Sequence, residues 1–82
     1  MTAQAVISHA HVLDPAAMRA ARRAAAVSLD VAGAHVARDR TLIAKYERGA
    51  IDPPASILGA LAGLYGVDVG AFYRREPATR DA

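Results

Sequence analysis

The stretch from Ser28 to Gly49, SLDVAGAHVARDRTLIAKYERG, constrains this chain more than any other. Ser28 and Asp39 are both residues that cap helix N-termini, and each precedes apolar residues at helical spacing. Gly49 closes the second run with the residue type best suited to a left-handed C-terminal turn. The spacing predicts one helix ending near Val36, a turn at Ala37-Arg38, and another helix over residues 40–48. In that second helix Ile43 and Tyr46 face inward, while Arg40, Thr41 and Lys45 share the polar side. Helices this short are marginal alone in water. The rest of the chain is therefore expected to hold the second one at a fixed angle, or to pair it with a copy of itself.

At 82 residues the chain makes one domain, of a size at which a single core buries only somewhat over half of the unfolded surface. It has no cysteine, which leaves helix packing or oligomerisation as the sources of stability and suits a reducing cytoplasm. The net charge of +2 is small, but seven of the ten Lys and Arg residues fall between Arg19 and Arg48. None precedes Arg19, so the basic start of a secretory signal is missing. The longest uncharged run, Pro53 to Val67, falls short of the roughly 20 residues that a transmembrane helix needs.

Residues 1–13 carry no charge at neutral His and no helix start, and are expected to form a flexible arm or an added strand. His9 and His11 would share a strand face, but a metal site would need a third ligand that the neighbourhood does not supply. Asp14-Pro15 is a strong start signal for a first helix, expected over 15–26, with Met18, Ala21, Arg22 and Ala25 on one face. An arginine on that face must either snorkel to solvent or find a carboxylate. In the second helix, Gly33 is expected to cost about 1 kcal/mol relative to alanine.

After the rigid Pro53-Pro54 link, a fourth helix is expected to Tyr65, stopped by Gly66, with Leu58, Leu61, Ala62 and Tyr65 inward. A second stripe beside it, Ile57, Ala60 and Leu64, exceeds what so small a domain readily covers. Asp68 would cap a fifth helix over 69–75, with Val69 and Phe72 inward. The domain is thus expected over 14–75, with 76–82 as a tail.

The run Thr41-Leu42-Ile43-Ala44-Lys45-Tyr46-Glu47-Arg48-Gly49, then Pro53, then Ala60-Leu61-Ala62-Gly63-Leu64-Tyr65-Gly66-Val67, resembles the Cro and phage-repressor type of helix-turn-helix family, also called the xenobiotic-response-element family. The resemblance spans Pro15 to Tyr73 and implies an all-α, compact five-helix bundle like that of lambda repressor, in which helices two and three read DNA. It implies a partly buried ion pair between Arg22 and Glu47, which would answer the question posed by the arginine of the first helix. It places base reading at Arg40, Thr41, Ala44 and Lys45, with Arg40 suited to the O6 and N7 of guanine. Arg23, Arg38 and Arg48 are then phosphate contacts that set register and salt dependence. The chain departs from the family pattern at Leu29, where glutamine is common, at Ala32 and Gly33, at Ala37, where glycine is favoured, and at Arg38, which is usually apolar.

One recognition helix reads too few base pairs for useful specificity, so double-stranded DNA with an inverted-repeat operator and a homodimer are the expected partners. Ile57, Ala60, Leu64 and Tyr73 are the candidate dimer surface, unless the chain's own ends cover it. The length suggests no inducer-sensing domain, so the chain resembles small regulators of phages, integrative elements and restriction-modification systems, the last called controller proteins. Two alternatives stand beside a cytoplasmic, nucleoid-associated repressor or activator: an antitoxin of the same fold that also binds a toxin protein, and an interaction module that has lost DNA binding. No enzymatic motif, cofactor site, metal site or small-molecule ligand is expected, since the three histidines have no accompanying cysteine or carboxylate cluster.

Overall fold

The computed structural model describes residues 9–77. They run as strand β1 (His9–Leu13), helices α1 (Pro15–Ala24), α2 (Leu29–His35), α3 (Arg40–Arg48) and α4 (Ala55–Tyr65), a 3-10 helix (Val69–Phe72) and strand β2 (Tyr73–Pro77). Each of the first three helices starts where its cap residue lies. Asp14 accepts from the Ala16 amide, Ser28 Oγ from that of Val31, and Asp39 from that of Leu42, at 3.2, 3.1 and 3.1 Å. Gly49 and Gly66, at φ 77° and 74°, end α3 and α4 in the left-handed conformation, and the next amides reach back to the carbonyls of Lys45 and Ala62.

The core is one cluster. Met18 of α1, Ala32 of α2, Ile43 and Tyr46 of α3, and Phe72 of the 3-10 helix surround the face of α4 that carries Ile57, Leu58, Leu61, Ala62 and Tyr65. Tyr65 and Phe72 meet edge to face with ring centres 6.1 Å apart, a favoured aromatic geometry.

The architecture corrects several expectations. The helix expected over 69–75 is a single 3-10 turn followed by a strand, so the bundle has four α-helices among the described residues rather than five. Gly70 weakens helix there, and β2 instead pairs antiparallel with β1, Leu13 opposite Tyr73 and His11 opposite Arg75. Val69, expected inward, is exposed, while Phe72 is fully buried. The segment 1–13 contributes strand β1 over His9–Leu13, and the start of the expected tail lies in β2; residues 1–8 and 78–82 lie outside the described residues. The first helix stops at Ala24 rather than Ala26, because Ala26 turns left-handed at φ 58° and lets the Val27 amide bond the Arg22 carbonyl. The helix expected from Pro54 begins at Ala55, with Pro54 as its extended cap.

Candidate nucleic-acid interface

The turn that sets α3 against α2 is fixed by two small residues. Ala37 takes the left-handed conformation at φ 57°, a region that suits glycine better than a residue with a Cβ. A left-handed alanine costs about 1 kcal/mol or more. The chain then folds back so tightly that the Arg38 amide donates to the Gly33 carbonyl at 2.8 Å. A Cβ built on Gly33 would stand 2.8 Å from the Asp39 carbonyl carbon and 2.9 Å from the Arg38 oxygen, both backbone atoms. Gly33 is therefore the point of contact between α2 and the start of α3, a reason for glycine that helix propensity does not contain.

On the other side α3 is locked to α1. Arg22 Nε donates to one oxygen of Glu47 at 2.7 Å and Nη2 to the other at 3.0 Å, while Nη1 donates to the Val27 carbonyl at 3.0 Å. This is a two-pronged pair with side chains only 11% and 6% exposed, so both charges are satisfied where water is scarce. The hydrogen bond to Glu47 outweighs desolvation and raises the Arg22 pKa further, keeping the guanidinium charged throughout. Tyr65 lies in the same electrostatic neighbourhood. Burial first, and then the charge of Glu47, push its phenol up to about 12, partly offset by Arg22. Its hydroxyl is buried without a hydrogen-bond partner among the described residues.

With Ile43 and Tyr46 in the core and Glu47 held, the opposite face of α3 is left to solvent. Arg40, Thr41 and Lys45 are exposed there, and Arg48 joins them one turn on. Ala44 is half-buried and lines a surface cavity beside α1 rather than standing clear. Arg40 makes one loose ion pair, 3.7 Å to Asp30, with both side chains more than half exposed. Arg38 is turned onto its own loop, donating to the Ala37 carbonyl at 3.1 Å. Arg23 is exposed on the last turn of α1.

The proposed dimer stripe divides. Ile57 belongs to the core and is 6% exposed, because the 11-residue α4 is surrounded by the other elements on that side. Ala60 and Leu64 are half-buried, and Tyr73 lies exposed on β2. Sequence reasoning missed Arg19, which shares a cavity wall with Arg23 and Arg48, and the burial of the Tyr65 hydroxyl. The i, i+4 spacing of Arg19 and Arg23 was the available signal for the first.

Two short capped helices joined by a tight turn, the second locked behind and open in front, define a helix-turn-helix domain. The family model described as "Helix-turn-helix domain" matches residues 16–71, and the chain belongs to that family, in its Cro and repressor class of DNA-binding regulators. No curated protein and no solved structure gives a significant match. Among the described residues no helix is long and apolar enough to cross a membrane, and no group of three or more His, Cys, Asp or Glu is arranged to hold a metal ion.

Proposed function

We propose that this chain is a sequence-specific transcriptional regulator that inserts α3 into the major groove and binds inverted-repeat operators as a homodimer. The observation that carries the reading is the division of α3. Ile43 and Tyr46 anchor one side in the core, and Arg40, Thr41 and Lys45 stand exposed on the other, Arg40 in a loose pair with Asp30, at the end and on the face by which a recognition helix meets base edges. Arg40 reads guanine through O6 and N7, Thr41 meets a thymine methyl or a phosphate, Lys45 serves base or backbone, and Ala44 leaves room for the groove wall. Arg23, Arg38 and Arg48 bind phosphates.

Two-fold pairing puts equivalent α3 helices one duplex turn apart, roughly 34 to 36 Å. Ala60, Leu64 and Tyr73 supply the pairing surface, with Ile57 filling the core beneath. Footprinting on the DNA upstream of the protein's own gene tests the reading. The expected result is a protected palindrome that Arg40→Ala abolishes; a wild-type protein that protects no sequence over another would refute it. A monomer at micromolar concentration in ultracentrifugation, with and without operator, would remove the dimer.

A further inference from the structure

We propose that Arg19, Arg23 and Arg48 form a seat for a single phosphate group. The seat is a surface cavity of about 320 Å³ between α1 and α3, walled by these three side chains, by the Arg22–Glu47 pair and by Leu29 and Ala44. That Arg23 and Arg48 meet phosphate rests on the proposed function. That they share one group with Arg19 does not follow from it.

Three observations carry the assignment. First, the arginines between Arg19 and Arg48 divide by engagement. Arg22 is bound to Glu47, Arg40 to Asp30 and Arg38 to its own loop, whereas Arg19, Arg23 and Arg48 have no ion pair or side-chain hydrogen bond among the described residues. Three cations that line one cavity without an ion-pair partner of their own repel one another, and a phosphate relieves that repulsion. Second, the one carboxylate in the wall is already neutralised. Both Glu47 oxygens accept from Arg22, so they do not cancel the three remaining charges. The carbonyl at the neighbouring loop, Val27, is taken by Arg22 Nη1, and those of Arg22, Arg23 and Lys45 accept backbone amides. Third, the apolar side chains of Leu29 and Ala44, both half-buried, line the space in place of competing polar groups. The guanidinium fork suits the tetrahedral oxygens of phosphate.

The seat adjoins the outward face of α3 through Ala44 and Arg48. With α3 in the groove, it stands where a flanking backbone phosphate passes; free phosphate has the same chemistry and enters the same place.

The experiment titrates the full-length protein with inorganic phosphate, against potassium chloride at matched ionic strength, following the backbone amide resonances of Leu29, Ala44 and Arg48. Saturable shifts at these positions with phosphate alone, lost in Arg19→Gln with its melting temperature unchanged, are the expected result. Equal responses to the two salts would overturn the seat. The second arm measures duplex binding against salt: Arg19→Gln should lower the slope of log K on log salt by about 1. Duplex binding and slope that ignore Arg19→Gln would overturn the backbone phosphate as occupant and leave free phosphate as the ligand. A wild-type protein that saturates with phosphate and binds no duplex would refute the proposed function and keep the seat.

Discussion

Two ion pairs flank α3, and they differ in almost every physical respect. Arg22 and Glu47 meet through two short hydrogen bonds with little solvent around them. Arg40 and Asp30 stand 3.7 Å apart with side chains 61% and 71% exposed. The first holds the helix to α1. The second holds a side chain only until something better arrives, because exposed pairs contribute roughly 0 to 1 kcal/mol. The chain thus separates the charges that fix the position of α3 from those left available for recognition.

The inner pair is most exposed to test at Glu47. Glu47→Ala strands the Arg22 guanidinium, so unfolding by denaturant should show a loss of roughly 3 to 5 kcal/mol, with DNA binding lost in parallel. A melting curve that does not move would mean that the inner pair is no lock.

Gly33 tests the other boundary of α3. Helix propensity alone expects Gly33→Ala to stabilise by about 1 kcal/mol. The close approach of Asp39 and Arg38 backbone reverses that sign, and the substitution should cost about 1 to 3 kcal/mol by forcing α2 from α3. Ala37→Gly, which relieves the left-handed alanine, should go the opposite way by about 1 kcal/mol. Thermal melts of the two variants would settle both signs.

Tyr65 makes the buried side of α3 sensitive to pH. Its phenol holds its proton to about 12 in the folded chain against 10 for an unperturbed tyrosine, so the stabilisation is complete below pH 10 and drains away between pH 10 and about 12. Tyr65→Phe should flatten that part of the stability profile. Because the hydroxyl is buried without a partner among the described residues, the same variant should also gain about 1 kcal/mol at neutral pH. A loss there would reveal a hydrogen bond that the hydroxyl makes.

The smallest effect on stability is expected at Asp30. Asp30→Asn should shift unfolding by less than about 0.5 kcal/mol, yet tighten DNA binding, since it frees Arg40 and removes a negative charge from the approaching backbone. Weaker binding in a gel shift would mean that Asp30 orients Arg40 for its contact.

The helices were legible because their boundary signals are local. Asp14-Pro15, Ser28, Asp39, Gly49 and Gly66 each act on backbone groups within a turn of themselves, so a reader of the sequence finds α3 with its observed limits. An added strand within 1–13 was one of two expectations, but its partner β2 was not legible, because β2 exists through pairing with residues some sixty positions earlier. Tyr73 to Arg75 carry no pattern that separates a strand from the last turn of a helix. Ile57 looked spare beside Ala60 and Leu64 for a similar reason, since an apolar helix does not state which of its faces is covered.

By itself the amino-acid order determined that two short helices would meet at a tight turn and that the second would be apolar behind and basic in front, since caps, propensities and spacing act over a few residues. That Gly33 is needed for contact, that Ile57 is core, and that Arg19 joins Arg23 and Arg48 around one cavity came from the packed fold alone. Those facts depend on how closely segments distant in the chain approach, and the approach is set by packing the whole core at once.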